Sequence, residues 1–377
     1  MKKIFVFISL LLLCCGGSSK PTRLNPSGFF FGFDLSFTPQ VESAGGAFLS
    51  GGKRAPIMYI ARDNGANIVR LRIWNNPTNG FCDLSNTLRM ARRAREAGLS
   101  ILLDFHYSDT WADPEHQTKP VTWNRLEQSG LEDAVRQYSF DVISALALQR
   151  TLPHTVQIGN EVTGGMLWDN GKVRGNGTES WTNFCRLIRA GYEGTTNAAA
   201  GYGQPKIMTH ISESSNTNTI TWFFDNLTSQ FTNFDFIGLS YYPWWHGKDP
   251  GHFGRVLAYT SKKYNRKVVV VETAYPWTLG WADNRNNIVG TSDQLIPEYP
   301  ATEAGQKAFL AALVQTVRSL PDDMGGVLSI GHQNTSPMWP AVPPGKIWPF
   351  LISGGTFWTD GLPSGWSSPS RALRRYP

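Results

Sequence analysis

The 377-residue sequence predicts an α/β chain of the (β/α)8, or TIM, barrel class. Three observations point to it. Short apolar, β-branched runs recur along the chain at regular intervals. Several are apolar on both faces, as strands covered on both sides must be. Segments with apolar residues at 3–4 residue spacing lie between them, the stripe of a helix packed on one side.

In chain order the strand candidates are "FFFGFDLS" (29–36), "NIVRLRIW" (67–74), "LSILLDFHYS" (99–108), "TVQIGNE" (155–161), "KIMTHIS" (206–212), "FDFIGLSYY" (234–242) and "KVVVVETAYP" (267–276). In 131–146, Leu131, Ala134, Val135, Tyr138, Val142 and Ala145 form one stripe. The segments 84–97, 181–199 and 303–319 behave alike. "GGVL" at 325 starts an eighth strand. Eight units in roughly 250–300 residues match a closed barrel, with a doubly wound open sheet as the alternative. No G-x-G-x-x-G or Walker loop follows any strand, which removes the nucleotide-binding versions of that alternative. No repeat or second domain is visible.

The eighth β/α unit reads as defective. In "GGVLSIGHQNTSPMWP" (325–340) the strand pattern dissolves into Gly, His, Asn, Pro and Trp. The expected organisation is an export segment at 1–15, a flexible tether at 16–28, the barrel at 29–328 and an anomalous tail at 329–377.

Charge excludes little. The formal charge is +6, but Lys2, Lys3, Arg371, Arg374 and Arg375 supply much of it. With no basic run inside the folded part, nucleic acid is not an expected partner. The start, "MKKIFVFISLLLLCCGGSSKP", has a basic head and an apolar run too short to span a bilayer. Cys14-Cys15 before a Gly/Ser stretch resemble a lipidated cysteine and its tether. The expectation is an exported protein, either secreted or a periplasmic or outer-surface lipoprotein, touching a membrane only through that anchor. The remaining Cys82 and Cys185 could form one disulfide, but a lone pair reads first as two buried thiols.

Barrel chemistry sits at the C-terminal strand ends. There the chain places Arg70, Arg72 and Trp74, then Asp104 and His106, Asn160-Glu161, Tyr241-Tyr242 and Glu272. No His/Cys/Asp set has metal spacing, and no Ser sits on a nucleophile elbow. Glu161 and Glu272 come from opposite strands of the ring. Two opposed carboxylates among aromatics suit glycosidic cleavage, one protonating the leaving oxygen and the other attacking the anomeric carbon. Alone, each has a plainer reading: Glu161 as a helix cap, Glu272 as an ion-pair partner, His106 as a core histidine, Asn160 as a turn residue. The joint arrangement carries the weight.

"GFDLSFTPQVE", "NIVRLRIWNNP", "LLDFHYSDTWADPEHQTKPVTW", "VQIGNEVTGGMLW" and "VVVVETAYPW" resemble glycoside hydrolase family 53, the endo-β-1,4-galactanases, over residues 29–328. The resemblance implies a retaining barrel enzyme that cuts β-1,4-galactan of pectic arabinogalactan internally. It implies Glu161 as acid/base and Glu272 as nucleophile. Arg72, with Arg70 as the alternative, would hold Glu272 ionised. Asn160 would touch the sugar 2-hydroxyl, with Asp34, Asp104, His106 and Tyr242 lining that subsite. Trp111, Trp123 and Trp244 are stacking candidates. No cofactor is required. Some relatives bind calcium near the last loops, and 281–293 carries suitable oxygens without a ligand-by-ligand match. A mannanase or glucanase, or a non-catalytic polysaccharide-binding lipoprotein or inactive remnant, is the competing reading.

The family ends strand 8 in a motif like Tyr-Trp-x-Pro-x-Tyr/Trp, absent here. Permitted codons for Ser329 to Pro337, read one base out of frame, give Tyr-Trp-Ala-Pro-Glu-Tyr-Ile-Ser. The same shift over 344–358 yields a run resembling the family's ending. The expectation is a one-base frame displacement near Leu328–Ser329, making the tail a false one.

Overall fold

The computed structural model describes residues 28–175, 180–280, 287–320 and the strand at 325–330. Eight parallel strands close a barrel: β1 (Phe30–Asp34), β2 (Ile68–Ile73), β3 (Ser100–Phe105), β4 (Thr155–Ile158), β5 (Lys206–Ile211), β6 (Phe236–Tyr241), β7 (Lys267–Thr273) and β8 (Gly325–Ile330). Each neighbours the next around the ring, and β1 pairs with both β2 and β8. Among the described residues, the helices of seven residues or more cover the outside: α1 (Ile57–Asp63), α2 (Leu84–Glu96), α3 (Gln128–Leu148), α4 (Trp181–Ala198), α5 (Thr217–Thr228), α6 (Pro250–Tyr264) and α7 (Glu303–Arg318). The elements match the expected alternation, with ends moved by a few residues.

Local chemistry explains the helix starts. Asp83, Ser180, Asn216, Asp249 and Thr302 each accept a backbone N–H of the first turn that follows, satisfying donors the helix leaves open. Cys82 and Cys185 are both free and buried. No described helix is long and apolar enough to cross a membrane.

The core has two parts. The larger fills the space between sheet and helices, with Val69, Leu71, Leu103, Phe105, Ile158, Ile237 and Val270 facing outward. The smaller lies inside the barrel: Phe30, Ile68, Leu102, Met208, Phe236, Val269 and Val271. Alternation along each strand then lifts the next inward residues to the C-terminal end. Those residues are polar: Asp34, Arg70, Asp104, Gln157, His210 and Ser240, all buried.

β7 breaks this parity. Its register with β6 runs Leu239↔Val270 and then Ser240↔Glu272, so Val271 is skipped. An extra residue of this kind re-aims the side chains beyond it. Val271 faces the inner cluster, and Glu272 also turns inward to meet Arg70.

β8 is in place. It pairs Phe30↔Gly326 through Asp34↔Ile330 with β1, and Val268↔Gly325 through Val270↔Val327 with β7. A Cβ on Gly326 would lie 2.4 Å from the Phe30 Cβ, so glycine is required for this approach. The strand runs to Ile330, two residues past the point from which the sequence reads as a tail. Residues 331–377, and with them the place of an eighth helix, lie outside the described residues. So do the export segment and the tether up to residue 27.

Candidate active site

The polar layer is organised around Arg70. Its Nη1 donates to Asp34 Oδ2 at 3.0 Å. Its Nη2 lies 2.8 Å from Asp104 Oδ2 and 3.1 Å from Glu272 Oε1, and donates to Asn160 Oδ1 at 2.8 Å. Burial opposes the guanidinium's charge, but Asp104, Glu272 and Asp34 outweigh it and keep Arg70 ionised. One buried cation thus orders three carboxylates from three strands.

This corrects the expectation for Arg72, which does not reach Glu272. It follows Arg70 by two residues on the same face, one level nearer the mouth. There it lies over the rings of Phe37, Trp74 and Trp111, 4.3, 4.9 and 4.0 Å from their centroids. Its Nη2 is 3.3 Å from Cys82 Sγ. The aromatic faces, together with the nearby charge of Asp34, hold this guanidinium in place of Glu272, and Trp111 is placed by it at the rim.

Glu272 receives a second hydrogen bond, from the Tyr242 hydroxyl to Oε2 at 3.0 Å. Glu161 follows β4 and Asn160 in the left-handed conformation, φ +48°. Non-glycine residues occupy that region at a cost, and such outliers gather at functional sites. The turn aims the side chain into the barrel, where Ser240 Oγ donates to Glu161 Oε1 at 2.6 Å. A carboxylate oxygen of Glu161, one of Glu272 and a ring nitrogen of His210 all lie within 4.8 Å of one another. Among the described residues this is the one set of such groups close enough to share a metal ion. Both nitrogens of His210 are already hydrogen-bonded and Arg70 sits on Glu272, so a cation would have to displace these contacts.

The two carboxyls differ electrostatically. Burial, and then the charge of Glu272, push Glu161 well above the usual carboxylate range. Burial also raises Glu272, but Arg70 and the Tyr242 hydrogen bond pull against it. A single shared proton therefore rests on Glu161. Asp34 shows the opposite balance: burial raises it, yet Arg70, Arg72 and the Ser36 hydrogen bonds bring it below its ordinary value.

The other expected residues fall as follows. Asp104 accepts from Gln157 Nε2 at 2.6 Å and from His106 Nε2 at 3.0 Å. His106 Nδ1 accepts from the Ala112 N–H at 2.9 Å, which fixes the ring and its tautomer. Burial pushes the His106 pKa down. Asn160 donates to the Ala112 carbonyl at 2.8 Å and so ties the loop after β3 to the site. Trp244 is half-buried beside Tyr242. Trp123 is not a groove residue: it is buried against Tyr138 of α3. Of the 281–293 stretch that carries suitable oxygens for calcium, residues 281–286 lie outside the described residues.

Gln157, His210 and Ser240 escaped the strand-end reading. Each lies at the C-terminal half of a strand on the parity that faces inward, and that position was the available signal.

The family model for glycosyl hydrolase family 53 matches residues 30–330. An arabinogalactan endo-β-1,4-galactanase of Cellvibrio japonicus is 33% identical over 322 residues, covering 85% of this chain and 84% of the relative. The family 53 catalytic domain of Ignisphaera aggregans superposes with a TM-score of 0.75 at 32% identity, covering 82% of this chain and 87% of that one. A fungal β-1,4-galactanase gives 0.71 at 31% identity, covering 80% and 88%. An eight-stranded barrel, two facing carboxyls at its mouth and this likeness along the whole barrel lead to one conclusion: the chain is a glycosidase of glycosyl hydrolase family 53.

Proposed function

We propose that the chain is an endo-acting, retaining hydrolase of β-1,4-galactan. The observation that carries the mechanism is the approach of Glu161 and Glu272 oxygens to within 4.8 Å, with unlike surroundings. Retaining pairs sit about 5–5.5 Å apart, while inverting pairs leave room for a water at roughly 6.5–9.5 Å. The Glu272 carboxylate attacks the anomeric carbon as Glu161 gives its proton to the departing glycosidic oxygen. The galactosyl ester of Glu272 is then attacked by water, whose proton returns to Glu161. Forming the ester removes the charge that raised Glu161, so it becomes a competent base for this second step. Glu161 supplies the proton of the first step, and water supplies the oxygen and the proton of the second. The substrate class is supported by the names of the relatives.

Reducing ends released from potato galactan, against mannan and cellulose, test the substrate. Galactan is expected to be cut and the other two left intact. Glu272→Gln is expected to lower kcat on galactan on the order of 10⁴-fold or more, as loss of a nucleophile does. Equal turnover by that variant and the parent would defeat the assignment, and cleavage of mannan or cellulose alone would replace the substrate.

The N-terminus and tail enter the same reading. Export with a lipid anchor at Cys14 or Cys15 rests on the residue pattern, and labelling with radioactive palmitate tests it. The displaced frame near Leu328–Ser329 rests on the shifted motif alone. An intact gene whose codons forbid the shifted reading would remove it.

A further inference from the structure

Glu161 is held by a buried hydrogen-bonded relay from the two strands that follow its own, β5 and β6. Ser240 on β6 donates its hydroxyl proton to Glu161 Oε1 at 2.6 Å. His210 Nε2 on β5 is 2.9 Å from Ser240 Oγ. The tautomer of His210 decides the direction of the whole chain. The backbone N–H of Glu161 points at His210 Nδ1 from 3.3 Å, and a backbone N–H can only donate. Gln157 Nε2 lies 3.1 Å from the same nitrogen. Asn160 Oδ1, also 3.1 Å away, already accepts from Arg70 and brings no proton. Nδ1 therefore presents its lone pair, and the ring hydrogen sits on Nε2, facing Ser240. The imidazole is neutral, since burial, Arg70 and His106 push its pKa far down.

A neutral His210 donating to Ser240 leaves the hydroxyl one course: to donate onward to Glu161. We infer that His210 and Ser240 are positioning residues which reserve Oε1 of Glu161 as an acceptor and confine the catalytic proton to Oε2. This rests on the reading of Glu161 as acid/base. The relay works alike in both half-reactions. Oε2 gives its proton to the leaving oxygen, and later takes one from water, while the carboxyl plane stays fixed by the bond at Oε1.

The groups that act on Glu161 are Glu272 from β7, Tyr242 just after β6, Arg70 from β2, Asp113 from the loop after β3, His210 from β5 and Ser240 from β6. Of the interactions made directly with Glu161, Ser240→Ala removes the Ser240 bond. That bond favours the ionised form, so its loss raises the pKa of Glu161. The sign gives a signature that unfolding or general loosening cannot mimic.

The test uses the full chain and its Ser240→Ala variant. On galactan, Ser240→Ala is expected to lower kcat roughly 10–100-fold while the basic limb of kcat/KM moves to higher pH. On dinitrophenyl β-galactobioside, whose leaving group needs no proton, the loss is expected to be about threefold or less. Binding of a galactobiose-derived imidazole, followed by calorimetry across pH, reads the same proton without turnover and should show the same upward shift. His210→Leu is expected to reproduce the pattern, and His210→Gln, which keeps an N–H for Ser240, to recover part of the rate. Equal loss on both substrates with an unmoved basic limb, or no loss on galactan, would overturn the relay. Glu161→Ala hydrolysing galactan at the parent rate would overturn the acid assignment and the relay together. Collapse of Glu161→Ala on galactan with Ser240→Ala unaffected would overturn the relay alone.

Discussion

The two ends of the barrel interior are built on opposite principles. The lower end holds Phe30, Ile68, Leu102, Met208, Phe236, Val269 and Val271, which need only volume and shape. The upper end packs Asp34, Asp104 and Glu272 around Arg70, with Gln157, His210 and Ser240 completing the hydrogen bonds. Below, stability comes from apolar area removed from water. Above, charges are held out of water and must be balanced by one another. The lower layer can change its residues if volume is kept. The upper layer cannot lose one member without stranding the rest.

That contrast can be broken or sharpened by substitution. The largest effect is expected from Arg70→Met. Removing one partner of a buried ionic cluster costs about 3–5 kcal/mol of stability, read as a fall in the urea midpoint. Without Arg70 the Glu272 pKa rises further, so any residual activity should show its acid limb at higher pH. Arg72→Met is the control: its charge rests on rings, so the acid limb should move less. Phe30→Ala is expected to cost a comparable 3–5 kcal/mol or so, through the cavity it leaves, but with both pH limbs unmoved. A shifted limb in that variant would show that the layers are not independent.

Smaller effects follow. Gly326→Ala forces a Cβ against Phe30 and should cost about 1–3 kcal/mol, the range for an overpacked core. If it costs nothing, β8 does not press on β1 as described. Glu161→Gly should be more stable than Glu161→Ala by about 1–2 kcal/mol, because only glycine enters the left-handed region freely. Smallest is the pH dependence of Glu161→Gln. A carboxyl whose folded pKa is raised binds its proton more tightly folded than unfolded. It therefore costs stability as pH rises from the unfolded value toward the folded one. Glu161→Gln removes that cost, so its Tm should exceed the parent's at neutral pH and converge with it near pH 4. A constant gap at all pH values would contradict the raised pKa.

Much of this was readable from residues alone, for physical reasons that also mark where reading stopped. The barrel was legible because strands buried on both faces must be largely apolar, and the runs read as strands are so below their C-terminal ends. Glu161 and Glu272 were legible because carboxylates are costly at the end of such strands without a purpose. Arg70 and Arg72 were interchanged because period-2 alternation gives the face of a side chain, not its depth. Both arginines point inward, and only the strand stagger puts Arg70 level with the three acids. Ser240 and His210 stayed hidden because one polar residue in a buried strand is equally compatible with a satisfied core hydrogen bond. The skip at Val271 left no trace, since "VVVV" carries no alternation from which a missed step shows.

That skip has a practical consequence for transplanting the chemistry. A straight seventh strand copied into another eight-stranded scaffold would deliver the carboxylate of Glu272 to the helix layer, although sequence and spacing looked unaltered. A working graft has to carry the irregularity along with the acid.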